Sequence, residues 1–233
     1  MFRYLLSGTA EFRDVIIHLL LTVPIILFSL SVHECSHGWV AKKMGDPTAA
    51  NLGRLTLNPV KHIDPIGALC MLLFGFGWAK PVPVNSRNFK NPRKGMALTA
   101  AAGPLSNLGL GLIFSLFMVL VFKLANAYGD GMSDGLFSMV SWLYIFLYYA
   151  TTLNVYLAVF NLLPIPPFDG SRILFVFLPT KWYFAIMKYE KFIMIGLLVL
   201  LWTGIIQIPF GFVADYIITG FSWLWSLVFS FIG

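Results

Sequence analysis

Residues 14–41 read DVIIHLLLTVPIILFSLSVHECSHGWVA, an apolar run that ends in the motif HECSH at residues 33–37. Side chains four residues apart lie on one face of an α-helix, so a helix here directs His33 and His37 to the same side, where they can share a metal ion. Glu34 lies on the adjoining flank, within reach of a water molecule at that metal. Two imidazoles that hold Zn²⁺ and a carboxylate that accepts a proton from water are what a zinc peptidase requires. A chance occurrence is disfavoured, because three ionisable side chains at the end of an apolar helix are costly unless they have a function.

The composition places the chain in a membrane. Of its 233 residues, 58% are hydrophobic and 11% are charged, whereas about 25% of the residues in a soluble domain are charged. The net charge of +6 is explained by membrane topology, and no nucleic-acid partner is predicted. Cys35 and Cys70 give neither a disulfide framework nor a CxxC pair. Arg3 and Arg13 precede the first apolar run, which we interpret as a retained membrane anchor and not as a cleaved signal peptide.

Apolar runs separated by turn signals predict an all-α, polytopic membrane protein with about five transmembrane helices. The predicted helices cover residues 14–45, 94–122, 136–163, 191–206 and 216–232.

Residues 66–79 are apolar but too short to cross roughly 30 Å of hydrocarbon as a helix. The next stretch, KPVPVNSRNF at residues 80–89, is expected to be extended, because a residue that precedes a proline avoids the α-helical region. Together they predict a re-entrant membrane segment that ends in an extended β-strand. The alternative is an interfacial loop.

Small and polar residues recur every four positions in the second predicted helix, at Thr99, Gly103, Asn107 and Gly111. A stripe of this kind allows helices to pack closely within a membrane. Asn107 has two interpretations that the sequence leaves open: an interhelical hydrogen bond, or a position near the metal.

A proline-rich break, PIPPFDG at residues 164–170, ends the third predicted helix. A catalytic zinc has three protein ligands and an open position, so the two histidines need a third partner, and Asp169 is the best-placed acid. The alternative is a turn at the membrane surface. His62 and Asp64 could also be ligands, but they are expected instead to belong to a solvated loop or to hold it by hydrogen bonds.

The distribution of basic residues predicts the orientation. Residues 42–94 contain nine Lys and Arg and residues 172–191 contain four, whereas residues 123–135 contain one basic residue and two acids. Because cytoplasmic loops are enriched in basic residues, the first two regions are predicted to be cytoplasmic. The HECSH motif and Asp169 then both lie toward the cytoplasmic side.

With these motifs the chain resembles the site-2 protease family of intramembrane zinc peptidases, peptidase family M50, in particular its short prokaryotic members. The stretches that carry the resemblance are HECSHG (33–38), GRLTLNP (53–59) with His62 and Asp64-Pro65, GWAKPVPVN (77–85), GPLSN (103–107) and NLLPIPPFDG (161–170). The last two apolar runs carry no matching motif. Many relatives contain a PDZ domain, and no stretch here is long or polar enough for one. The expectation is therefore one domain over 1–233, with a zinc-binding core at 14–170 and C-terminal membrane helices at 191–232.

The resemblance implies that the zinc ligands are His33, His37 and Asp169. It implies that Glu34 is the general base and acid, and that Asn161 acts beside the scissile carbonyl or the metal. The family's acidic motif is often Asn-Pro-Asp-Gly, and this chain has Pro-Phe-Asp-Gly, so only the Asp-Gly pair is carried over. The implied setting is a prokaryotic cell membrane, with membrane-spanning proteins as substrates and the lipid bilayer as surroundings.

The predicted function is an intramembrane zinc endopeptidase that cleaves membrane-spanning segments near the cytoplasmic face, as in regulated intramembrane proteolysis. Asn161, and with it Asn107, is expected to stabilise the oxyanion. A substrate strand is expected to pair with backbone groups of Pro81, Val82, Pro83 and Val84. The rivals are a metal-ion transporter, which needs polar residues along a full pathway, and a non-catalytic membrane scaffold, which has no need of Glu34.

Overall fold

The computed structural model describes residues 12–74, 77–203 and 207–232, which form two compact units. The first unit comprises the described residues up to Gly103 together with Arg172–Val176, and the second comprises Pro104–Ser171 with the described residues from Phe177 onward. The predicted anchor residue Arg3 and the last three residues of the helix predicted at 191–206 lie outside the described residues. The single-domain expectation stays a prediction.

The described residues are mostly helical, as predicted. The α-helices are α1 (Phe12–Met44), α2 (Thr48–Asn51), α3 (Pro65–Phe74), α4 (Pro92–Tyr128), α5 (Asp134–Asn161), α6 (Asp169–Leu174), α7 (Thr180–Met187), α8 (Glu190–Thr203) and α9 (Gln207–Val228). Short 3₁₀ turns cover Pro59–Lys61, Ser86–Asn88 and Gly129–Gly131.

Four stretches of the described chain are long and apolar enough to cross a membrane, namely Arg13–Met44, Pro92–Gly131, Asp134–Asn161 and Pro209–Val228. The fifth predicted span coincides with α8, whose 14 residues are too few to cross the hydrocarbon on their own. Leu20 on α1 is 69% exposed, as expected of a side chain that faces lipid. The chain therefore has the helices of a multi-pass membrane protein, while the number of five spans is not confirmed.

The end of α1 is fixed by Gly45 and Asp46. Gly45 has a φ of +113°, which a glycine adopts without strain. The Asp46 carboxylate, which is fully buried, accepts hydrogen bonds from the Thr48 N–H and hydroxyl. It also accepts bonds from the Asn85 N–H (2.6 Å) and the Asn88 amide (2.8 Å). Burial by itself raises the pKa of this carboxyl, but the hydrogen bonds outweigh it and lower the pKa below the ordinary 3.8.

We expect Asp46→Asn to destabilise the protein by roughly 1.5–3 kcal/mol at pH 7, since it removes a charge that accepts several hydrogen bonds. The side-chain NH2 of the new asparagine would also face the Asn85 N–H, so that two donors would oppose each other. Because the pKa of Asp46 is lowered in the folded state, its contribution is complete above about pH 4 and is lost as the pH falls toward the folded pKa. Thermal unfolding in detergent should therefore show a gap between wild type and variant that narrows below about pH 4. The exposed Asp130 provides the control, Asp130→Asn, and a gap of constant size down to pH 3 would contradict the assignment.

The predicted re-entrant segment begins as a short helix. Asp64 is the N-cap of α3, because its Oδ1 accepts the N–H groups of Ile66 (3.1 Å) and Gly67 (2.8 Å). Pro65 occupies the first helical position, where no N–H is needed. Residues 75–76 of this segment lie outside the described residues.

The β-strand predicted over residues 80–89 is not confirmed. The described residues contain one isolated antiparallel bridge, between Ile63 and Ala79, and residues 80–85 belong to no regular element. Prolines at 81 and 83 cannot donate to a strand ladder, which is a physical reason for the missing sheet.

The second unit is built on α4, α5 and α9. Met118 and Val119 of α4 pack with Leu147 of α5, and Trp225 of α9 lies against the same cluster. Farther along α5, Val155 and Val159 pack with Ala214. A Cβ on Gly111 would lie 3.0 Å from Val155, so this glycine allows α4 and α5 to approach closely, as its stripe predicts.

Candidate metal centre

The two histidines of the HECSH motif converge at the end of α1. Their Nε2 atoms are 3.0 Å apart and their rings meet edge to face, with centroids 4.6 Å apart. Both side chains are buried. Two nitrogen ligands on one tetrahedral zinc lie about 3.3 Å apart, given Zn–N bonds of about 2.0–2.1 Å. The separation therefore fits a shared metal ion.

The backbone of α4 fixes the orientation of the second imidazole. His37 Nδ1 lies 2.7 Å from the Thr99 carbonyl oxygen, inside the first unit. A carbonyl only accepts, so Nδ1 carries the proton and donates it, and Nε2 keeps a lone pair for a metal. Outer contacts of this kind orient metal ligands. The sequence predicted that Thr99 belongs to a stripe of small residues for close helix packing. It did not indicate that the Thr99 carbonyl accepts a hydrogen bond from His37.

Gly103 allows α4 to pass directly over both imidazoles. A Cβ built on it would lie 2.5 Å from His37 Nε2 and 2.6 Å from His33 Cε1. Any side chain at this position would force the two rings apart or push α4 away. The glycine of the predicted stripe therefore lies directly against the two candidate metal ligands, beyond its expected role in packing.

Glu34 lies beside the histidines and is 9% exposed. Its Oε2 accepts a hydrogen bond from the backbone N–H of Val82 at 2.7 Å. Gly38, one residue after the motif, allows Val82 and Leu55 to lie close to α1. A Cβ on Gly38 would lie 2.5 Å from Leu55 Cδ2 and 3.1 Å from Val82 Cγ1. The carboxylate of this residue, which directly follows His33 in the motif, is thus buried and held through one oxygen.

The predicted asparagines occupy different surroundings in the second unit. Asn107 donates to Asn154 Oδ1 at 3.2 Å, and both side chains are fully buried. This is the interhelical hydrogen bond that the sequence offered as one interpretation. The Asn161 amide donates to the Leu157 carbonyl of its own helix at 2.8 Å. Their expected roles at an oxyanion stay predictions.

Asp169 is the first residue of α6, directly after the proline-rich break, and it is half-buried. Gly170 is buried, and a Cβ on it would collide with the backbone carbonyl groups of Leu162 and Leu163. Only glycine lets the first turn of α6 pack on the end of α5. The Asp-Gly pair is therefore held in a fixed local conformation, while the role of Asp169 as a ligand stays a prediction.

His62 and Asp64 both make local structural contacts in the first unit. His62 Nε2 donates to the Thr56 carbonyl at 2.8 Å, and the ring is buried. Asp64 caps α3, as described above. These hydrogen bonds agree with the expectation that His62 and Asp64 stabilise the loop in which they lie.

The arrangement in the first unit therefore offers a pair of converging nitrogen ligands and an adjacent carboxylate that can exchange protons. A model of peptidase family M50 matches residues 21–203. The chain belongs to peptidase family M50. This membership confirms the resemblance that the motifs carried.

Three relatives share the name "putative zinc metalloprotease". YwhC of Bacillus subtilis is 47% identical over 154 residues, which are 64% of this chain and 65% of the relative. Rip2 of Mycolicibacterium smegmatis is 31% identical over 149 residues, 62% of this chain and 52% of the relative. A relative in Methanocaldococcus jannaschii is 32% identical over 143 residues, 61% and 62% of the two chains.

The chain thus spans 52–65% of the length of these relatives. Their names agree with the expectation of zinc and of a metalloprotease. No solved structure matches the chain.

Proposed function

We propose that the chain is a zinc endopeptidase that hydrolyses peptide bonds of membrane-spanning protein segments near the cytoplasmic face. One observation carries the proposal: buried His33 and His37 place their Nε2 atoms 3.0 Å apart, and Glu34 of the same motif is also buried. This group lies on a helix that is long and apolar enough to cross a membrane. Membership of the family and the names of the relatives support the same conclusion.

The proposed zinc ligands are His33, His37 and Asp169. The two nitrogens fit a tetrahedral zinc, and a catalytic zinc needs a third protein ligand beside an open position. Asp169 is the acid of the family's Asp-Gly motif. When bound, zinc supplies a Lewis acid that makes water more acidic and polarises a carbonyl group.

Glu34 is proposed to act as general base and then as general acid. It takes the proton from the attacking water and gives it to the nitrogen of the leaving amine. Because Val82 holds Oε2, Oε1 is the oxygen that we assign to proton transfer. Asn161 and Asn107 are proposed to stabilise the oxyanion. Asn161 uses one amide N–H within its helix, and a second N–H of the same amide remains as a donor.

The proposed substrate unwinds and pairs with the extended backbone of residues 80–85 as an added strand. Several groups of this segment are already hydrogen-bonded within the protein, namely the Val82 N–H and the carbonyls of Lys80 and Pro81. Of the described backbone groups in residues 80–85, those that remain for pairing with a substrate belong to Val82, Pro83 and Val84. Backbone pairing is indifferent to sequence, so varied membrane segments could be accepted.

Orientation and location follow from the same proposal. The enrichment of Lys and Arg in residues 42–94 and 172–191 supports a cytoplasmic location for these regions. Water can then reach the site from the cytoplasmic side of a cell membrane. The hydrogen bonds from Asn85 and Asn88 to the Asp46 carboxylate connect the end of α1 to the basic stretch that contains residues 85–88.

The proposal is tested by co-expressing the wild type with candidate single-span substrates and by measuring the zinc content of the purified protein. We expect a cleaved fragment and one zinc per chain. A protein that moves metal ions into vesicles and leaves every substrate intact would favour the transporter. A protein without zinc and without cleavage would favour the scaffold.

Asp169→Asn should weaken zinc binding, because an amide is a poorer zinc ligand than a carboxylate. Asn161→Ala should instead keep the zinc and lower turnover, since its proposed role is to donate to the oxyanion. Zinc content and cleavage rate, measured on both variants, separate the two roles. If Asp169→Asn keeps both zinc and activity, the third ligand is a different residue, and His62 or Asp64 becomes the next candidate.

A further inference from the structure

The extended segment of residues 80–85 is attached to the rest of the first unit along its length. At its start, the Lys80 N–H donates to the His62 carbonyl at 2.8 Å. At its end, the Asn85 N–H donates to Asp46 Oδ2 at 2.6 Å. Between these two points lies the Val82 N–H, which binds Glu34. The segment therefore runs across the proposed general base in a fixed path.

The middle of this segment contains a single backbone N–H group. Pro81 and Pro83 have no N–H, so Val82 is the one backbone donor between Lys80 and Val84. The peptide bond between Pro81 and Val82 is trans, because the cis peptide bond of the described chain joins Pro166 and Pro167. In a trans peptide the carbonyl and the N–H point in opposite directions from one rigid plane.

Arg54 binds the other side of the same peptide. Its Nη2 lies 3.3 Å from the Pro81 carbonyl oxygen and 2.8 Å from the Lys80 carbonyl oxygen. The Pro81 carbonyl belongs to the peptide whose N–H binds Glu34. A cationic donor on a carbonyl polarises the peptide and strengthens its N–H as a donor. Arg54 and Glu34 thus hold one planar group from opposite sides.

Local structure explains why Arg54 reaches this place. The helix α2 ends at Asn51, and Gly53 then adopts a φ of +64°. The Gly53 N–H donates to the Ala50 carbonyl at 3.0 Å, and the Arg54 N–H donates to the Ala49 carbonyl at 2.9 Å. This closure of the helix end fixes the backbone position from which the arginine side chain extends.

We propose that Arg54 is a positioning residue, which holds the Pro81–Val82 peptide so that its N–H fixes the carboxylate of Glu34 for proton transfer. The inference rests on the proposed function, because it assigns a purpose to the orientation of Glu34. A carboxylate anchored through Oε2 keeps Oε1 in one place, whereas an unanchored one rotates. Misplacing a catalytic group by about 1 Å can lower a rate about 10²-fold.

The first test compares Arg54→Met with Arg87→Met. Arg87 is exposed on the turn after the same segment, so it controls for the loss of a positive charge in this region. Two substrates are used, a helical single-span protein and a short peptide that is already unfolded. We expect Arg54→Met to lower kcat about tenfold or more on both substrates, with KM and zinc content close to wild type. Arg54→Lys should recover part of the loss, since an ammonium group still donates to a carbonyl.

A second measurement does not depend on activity. Hydrogen exchange of the 79–85 backbone should be faster in Arg54→Met than in Arg87→Met, because the Val82 N–H loses its fixed position. Val82→Pro removes that N–H and Val82→Ala keeps it, so Val82→Pro should lower kcat much more. Combining Arg54→Met with Val82→Pro should cause little further loss, because both changes remove the same interaction.

The inference is overturned if Arg54→Met behaves like Arg87→Met in kcat and in exchange. It is also overturned if the loss appears only in KM for the helical substrate, since that result would assign the segment to substrate pairing alone. If Val82→Pro does not fold, the Arg54 and Arg87 variants decide by themselves. A zinc-loaded wild type that cleaves neither substrate would instead defeat the proposed function.

Discussion

Glu34→Gln should reduce peptide cleavage by roughly 10²–10⁴-fold, the range that a positioned general base contributes. A glutamine is almost isosteric and can still accept the Val82 N–H through its carbonyl oxygen, so the local structure should persist. It has no basic carboxylate, however, and it cannot remove a proton from water. The measurement is the amount of cleaved fragment after co-expression with a single-span substrate, together with zinc per chain.

The matched control is Glu190→Gln, the same change in the first turn of α8, which should cleave like the wild type. Zinc content should be equal in all three proteins, because Glu34 is assigned to proton transfer and is not a ligand. Activity near wild type in Glu34→Gln would remove the residue from this role. Loss of zinc would show that its carboxylate helps to bind the metal.

Gly103→Ala should remove most of the bound zinc. The added methyl group would lie 2.5 Å from two atoms of His37 and 2.6 Å from His33, so the imidazoles must separate or α4 must shift. A shift of α4 would also lengthen the bond between His37 and the Thr99 carbonyl. Disturbing groups that orient metal ligands typically lowers metal affinity about 10–100-fold. Titration with a competing chelator measures this loss.

Gly109→Ala is the matched control on the same helix, because a Cβ there meets nothing within 4 Å. It should bind zinc like the wild type. The double variant His33→Ala with His37→Ala shows how the chelator titration looks when both imidazoles are missing. If Gly103→Ala binds zinc as tightly as Gly109→Ala, the close passage of α4 over the imidazoles is not part of the metal centre.

Several features followed from the sequence because they depend on near neighbours in the chain. The spacing of His33 and His37 places them on one helical face whatever surrounds them. The first helix was predicted at 14–45 and is found at Phe12–Met44, since Gly45 can end a helix in a conformation that other residues avoid. Apolar length alone identified the main spans.

The predicted helix ends differ from the observed ones where the apolar pattern fades gradually. The second helix was predicted to end at residue 122 but continues to Tyr128, because residues after Phe122 retain helical propensity beyond the apolar run. The strand expected at 80–89 is absent from the described residues, although its extended course was expected from the prolines.

The tertiary structure alone decided which backbone groups serve the site. Val82 binds Glu34 across 48 positions of sequence, and Thr99 binds His37 across 62. Both contacts use backbone atoms, which are the same in almost every residue type and therefore leave no signal in the side chains. Membrane helices are apolar on most faces, so periodicity does not say which face meets which partner. The sequence thus determined the motif and the helix that carries it. Folding determined which backbone amide, which carbonyl and which glycine contact the motif.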